Sequence, residues 1–78
     1  MHIDCTPFPN TRVFWTARKT RDGFRGVVTT VEASAWSPAS WARGRFVSDI
    51  TRPSRADAIN DAETAAREAA RTGSGPPF

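Results

Sequence analysis

Ser54 to Gly73 reads SRADAINDAETAAREAARTG and predicts an amphipathic helix whose apolar face is almost entirely alanine. The apolar positions recur at the three- and four-residue intervals of one helix face; they are Ala58, Ile59, Ala62, Ala65, Ala66 and Ala69. Ser54 is a typical N-cap residue, and Gly73 is a typical C-terminal stop. Because alanine side chains are short, we expect this helix to lie close against a broad, flat surface.

Three segments before the helix carry nearly all of the large apolar side chains and supply that surface. Arg12 to Lys19 and Phe24 to Ala35 are rich in β-branched and aromatic residues, as strands are. Asp22-Gly23 lies between them and favours a hairpin turn. Ala42 to Thr51 is a third predicted strand. The sequence therefore predicts an α+β fold, with a three-stranded antiparallel sheet and one C-terminal helix packed on a face, in the order β-β-β-α.

A two-residue turn at Asp22-Gly23 pairs Arg21 with Phe24 and so sets the register of the hairpin. One sheet face then collects apolar residues and is the better core candidate; these are Val13, Trp15, Ala17, Phe24 and Val28. The other face mixes apolar and polar residues, as a half-exposed face does; these are Phe14, Thr16, Arg18, Arg25, Val27, Thr29 and Val31. A turn with one extra residue would exchange the faces of one strand, so the assignment of faces stays open at this point.

The chain has 78 residues, which is enough for one domain with a small core. Residues 1–11 contain Pro7 and Pro9, and we expect an irregular N-terminal lead-in there. Residues 12–72 form the predicted single α+β domain. Residues 73–78, GSGPPF, are expected to be a flexible C-terminal tail.

The net charge of +3 conceals an uneven distribution. Residues 12–55 carry nine bases and three acids, whereas residues 56–72 carry two bases and four acids. The basic strand half is expected to attract an anionic partner. Ten Arg against one Lys, together with abundant Ala, also fit the composition of a GC-rich genome. The arginine count alone therefore does not indicate selection for binding.

Residue types that perform catalysis are sparse. His2 is the only histidine and Cys5 the only cysteine, and no phosphate loop or zinc-ligand spacing is present. The sequence thus predicts a protein that is not an enzyme, with no cofactor, metal or small-molecule substrate. We expect no signal peptide, and the sequence has no apolar run of ~20 residues. A single cysteine suits a reducing compartment, so we expect a cytoplasmic protein without a membrane partner.

The first hairpin is one candidate binding site. Arg18, Arg21 and Arg25 surround it, and Phe14 and Trp15 lie between the basic residues. Bases stacked on rings and phosphates held by guanidinium groups would make this a nucleic-acid site. In the alternative interpretation, the charges are solvated and the rings lie in the core.

The second candidate is the segment WSPASW, which has Trp36 and Trp41 at its ends. Tryptophan is enriched at the centres of protein interfaces, although the two rings also suit a lid over the core. A single helix leaves one sheet face open, and a second copy would cover it. We therefore expect a small non-enzymatic binding module that contacts an unknown protein partner, or forms a homodimer, through the open sheet face and the Trp loop. Nucleic-acid binding through the basic hairpin is the alternative.

Overall fold

The computed structural model describes residues 1–6, 11–32 and 44–73, and these form a four-stranded antiparallel sheet with one helix on one face. The elements are β1 (His2–Asp4), β2 (Thr11–Thr20), β3 (Gly23–Glu32), β4 (Gly44–Val47) and α1 (Arg55–Thr72). The strands lie side by side in chain order. This confirms the predicted α+β fold with a C-terminal helix packed on an antiparallel sheet.

Strand β1 is the element that the sequence analysis missed. It pairs with β2 and brings Ile3 against the core. The backbone N–H of Cys5 then donates to the carbonyl of Thr11, and that of Thr6 to the carbonyl of Ala70, both at 2.9 Å. The Cys5 side chain is buried. The first six residues are therefore tied to both sheet and helix, and the expectation of an irregular lead-in was wrong for them.

The β2–β3 hairpin turns at Arg21-Asp22, one residue earlier than predicted, so that Thr20 pairs with Gly23. A type I′ turn over Asp22-Gly23 would require a positive φ at both residues. Here Gly23 alone takes one, at 148°. A side chain at Gly23 would also collide with the carbonyl oxygen of Arg52. Because each strand partner moves by two residues, every side chain stays on its predicted face.

The core lies between α1 and the apolar face predicted from the sequence. Its buried members on the sheet are Val13, Trp15, Ala17 and Val28, and those on the helix are Ala58, Ala62, Ala65, Ala66, Ala69 and Ala70. At Gly26 the two layers touch, since a Cβ there would lie 2.7 Å from the carbonyl oxygen of Ala58 and 3.0 Å from the nitrogen of Ala62. The prediction that the alanine face lies close to a flat surface is confirmed.

Both ends of α1 are capped as predicted. The Ser54 hydroxyl accepts from the backbone N–H of Asp57, and Gly73 adopts the left-handed conformation with φ of 72°. Glu63 and Arg67, four residues apart on the helix, form an ion pair at 2.9 Å.

The third predicted strand is shorter than expected, because β4 ends at Val47. The backbone N–H of Ser48 still donates to the carbonyl of Gly26 at 2.9 Å, and the next contact with β3 is the bridge between Phe24 and Arg52, so residues 49–51 bulge from the sheet edge. Ile50, which the predicted strand placed beside Phe46, is 53% exposed, whereas Phe46 packs against the core. The predicted strand ends at residues 33–35 and 42–43 lie outside the described residues.

Candidate binding face

The sheet face opposite α1, called the helix-free face below, carries a cluster of basic side chains. Its described side chains, drawn from all four strands, are His2, Asp4, Arg12, Phe14, Thr16, Arg18, Arg25, Val27, Thr29, Val31, Arg45 and Val47. Four of them are arginines and one is an aspartate, so this face is strongly positive.

The arginines on the two sides of the molecule differ in their partners. On the helix side, the ion pairs are Arg52–Asp61 at 2.7 Å, Arg67–Glu63 at 2.9 Å and Arg71–Glu68 at 2.7 Å. On the helix-free face, Arg12 lies 3.7 Å from Asp4. Across the part of the chain that the structure describes, the other three arginines of this face have no acidic partner. Their charge is therefore available to a ligand.

Arg18 and Arg25 stand directly opposite each other on β2 and β3. Like charges in this position repel and destabilise a sheet. Arg25 is half-buried, and its Nε donates to the hydroxyl oxygen of Thr51 at 3.1 Å. The guanidinium of Arg25 is thereby oriented, while Arg18 is exposed beside it.

An aromatic pair occupies another row of the same face. Phe14 on β2 lies opposite His2 on β1, with ring centroids 5.2 Å apart and ring planes inclined by 37°. The face is not equally open throughout, since Val27 is 1% exposed and Val31 is 47% exposed.

Trp15 does not belong to this face. It is buried beneath α1, where the guanidinium carbon of Arg67 lies 5.6 Å from its ring centroid. Its Nε1 is buried and has no hydrogen-bond partner among the described residues. The interpretation of this ring as a core residue is confirmed, and its proposed role in stacking on a ligand was wrong.

Of the candidate residues from the sequence, Phe14, Arg18 and Arg25 come together on the helix-free face. Arg21 is exposed in the hairpin turn at one end of it. Trp36 and Trp41 lie outside the described residues, so their role stays a prediction.

Three members of this surface were not predicted from the sequence. Arg45 shares a row with Thr29, and the alternation of β4 around Phe46 was the signal that places it there. His2 lies on this face because it belongs to β1, and that strand has no clear sequence signal. Thr51 reaches Arg25 only because the chain bulges after β4.

A groove of about 650 Å³ lies between α1 and the segment that follows β4. Its acidic residues are Asp49, Asp61 and Glu68. Asp61 accepts from Arg52 at 2.7 and 3.2 Å, and this hydrogen bonding, followed by its charge, raises the pKa of Arg52. Glu68 likewise raises the pKa of Arg71. Since two of the three acids already hold arginines, the helix-free face is the stronger candidate site.

Comparison with protein families, curated proteins and solved structures finds no match to this chain. Within residues 1–6, 11–32 and 44–73, no three His, Cys, Asp or Glu side chains come together as metal ligands would. The described part of the chain also has no helix with the length and apolar character required to span a bilayer.

Proposed function

We propose that this protein is a small non-enzymatic binding module whose helix-free face contacts a negatively charged macromolecule. The observation that supports this is the separation of its arginines into two groups. Arg52, Arg67 and Arg71 beside the helix are paired with acids at 2.7–2.9 Å, whereas Arg18, Arg25 and Arg45 on the helix-free face have no acidic partner among the described residues. A compositional excess of arginine explains their number, but it does not explain this arrangement.

Retention on heparin, used as a generic polyanion, tests the proposal. Arg45→Glu reverses a charge on the helix-free face, and Arg55→Glu changes the net charge equally at the start of α1. Both side chains are exposed. We expect Arg45→Glu to elute at clearly lower salt than Arg55→Glu, because only the former residue lies on the contact surface. Equal elution of the two variants would mean that net charge alone governs retention and would contradict the proposal.

Association with a protein partner or with a second copy is the second candidate function. Val31 favours it, being 47% exposed on the helix-free face near the half-buried Phe14. An exposed apolar side chain on a sheet face that carries no described helix is what a protein interface would bury.

Sedimentation velocity at 150 mM salt tests self-association. We expect the wild-type sedimentation coefficient to rise with concentration, and Val31→Asp to abolish this rise by introducing a charge into the interface. Ile50→Asp is the matched control, because Ile50 is equally exposed at 53% but lies off this face. A wild-type protein that is monomeric at every concentration, or equal effects of both variants, would argue against self-association.

A further inference from the structure

We propose that the facing pair Arg18 and Arg25, with Thr51, is a phosphate-binding subsite, and that the partner on the helix-free face is a single-stranded nucleic acid. This rests on the function proposed above and assigns a chemical class to the ligand.

The first argument is the juxtaposition of the two guanidinium groups. Arg18 and Arg25 are a direct cross-strand pair on the two central strands. Their mutual repulsion is relieved by an anion that both contact, and among the described residues no carboxylate fills that role. A phosphodiester supplies the anion and accepts from guanidinium groups in the planar geometry that arginine favours.

The second argument is the orientation of Arg25. Its Nε is already engaged with the hydroxyl oxygen of Thr51 at 3.1 Å, which leaves its terminal amino groups for another acceptor. Because the Thr51 oxygen accepts in this contact, its own hydrogen can be donated elsewhere. The two guanidinium groups and the hydroxyl thus present several hydrogen-bond donors and no negatively charged acceptor, as an oxyanion site requires.

The third argument is the distance from this subsite to an aromatic surface. Phe14 lies four residues before Arg18 on β2, about 13 Å away along an extended strand. It stands beside His2, and Arg45 occupies the same row across the sheet. The intervening row, formed by Thr16, Val27 and Val47, is uncharged.

The helix-free face thus carries a charged row, an uncharged row and an aromatic row that also holds Arg45, and this suits a polymer built of phosphates and bases. The base faces must be unpaired and unstacked to reach Phe14, which favours a single strand over a duplex. A phosphopeptide carries a phosphate but makes no use of the aromatic row.

Fluorescence anisotropy with a labelled 12-nucleotide oligo-dT or oligo-rU at 50 mM salt tests this inference. Arg18→Gln and Arg25→Gln are compared with Arg55→Gln, which removes the same charge away from the face. We expect weaker binding for the first two and a plot of log K against log salt that is shallower by about 0.7 for each lost phosphate contact. Phe14→Leu should weaken binding about fivefold or more while leaving that slope unchanged. Circular dichroism verifies that every variant is folded.

Three results would overturn the inference. They are the absence of oligonucleotide binding by the wild type, equal effects of Arg18→Gln and Arg55→Gln, and a preference for a duplex of the same length. An acidic phosphoserine peptide serves as the competing probe. If it binds through the helix-free face while oligonucleotides do not, the nucleic-acid assignment fails. The proposed binding function is judged separately, by the heparin comparison.

Discussion

Trp15 combines the largest side chain of the core with an unsatisfied polar group. The ring packs among Val13, Val28 and the helix alanines, yet its buried Nε1 has no hydrogen-bond partner in the part of the chain that the structure describes. A buried donor without an acceptor opposes part of the stabilisation that the ring provides.

The residue-scale prediction is that Trp15→Phe costs much less stability than Trp15→Ala. Phenylalanine retains most of the ring while removing the unpaired N–H, so we expect a loss of about 1.5 kcal/mol or less. Alanine leaves a cavity and should cost ~3–5 kcal/mol. Urea unfolding followed by far-UV circular dichroism measures both. If phenylalanine and alanine destabilised equally, the ring would not be the main contribution of this residue.

At the scale of elements, the close contact of α1 with the sheet depends on Gly26. Its neighbours across the interface are the Ala58 carbonyl and the Ala62 backbone nitrogen and Cβ, none of which is the flexible end of a long side chain. An added methyl group cannot be accommodated by a rotamer change, so helix and sheet must separate.

We therefore predict that Gly26→Ala lowers the free energy of unfolding by about 1–3 kcal/mol. Thr16→Ala, on the exposed side of the neighbouring strand, should change it by about 0.5 kcal/mol or less. Chemical denaturation of both variants makes the comparison. A neutral Gly26→Ala would show that the layers have room that the structure does not indicate.

The elements differ in how far the sequence determines them. Helix α1 was predictable to within one residue at each end because its cap residues and its alanine spacing are local signals. Strand β1 was not predictable, because three residues are too few to show alternation. Its position depends on pairing with the edge of β2. The hairpin register depended on which residue takes a positive φ, and the approach of Arg52 to Gly23 is a tertiary contact that no local pattern reports.

The candidate site was predictable only in part, for the same reason. Alternation along β2 and β3 correctly grouped Phe14, Arg18 and Arg25. The presence of His2 and Thr51 beside them depends on an unpredicted edge strand and on a bulge. The ion pair of Arg52 with Asp61 depends on the position of the helix against the sheet, which the charge count could not reveal.

On the scale of the whole molecule, charge is segregated between two sides. The helix-free face is positive, whereas residues 56–72 on the helix side carry four acids and two bases. Two copies at low salt therefore attract when opposite sides meet, although the net charge of +3 alone would make them repel. The Debye length shrinks from about 30 Å at 0.01 M salt to about 8 Å at 0.15 M, which weakens this attraction.

We predict that the second virial coefficient, measured by static light scattering, is more negative at 10 mM than at 150 mM salt. Charge segregation gives this trend, whereas repulsion between uniformly charged particles gives the reverse. A coefficient that becomes more positive as salt is lowered would show that net charge dominates. Repeating the measurement with Arg45→Glu should reduce the trend, because the positive side is then weakened.

The alanine-lined contact between helix and sheet also limits how this protein can change. Six of its buried helix residues are already alanine, so glycine is the only smaller replacement at each of them, and glycine weakens a helix. Almost every substitution there must add atoms to a filled space. A variant that is overpacked at this contact can be relieved only from the sheet side, by trimming residues such as Val13, Trp15 or Val28. Substitutions in the core are therefore tolerated mainly in β2 and β3, because the side chains on the helix face are already close to the minimum size.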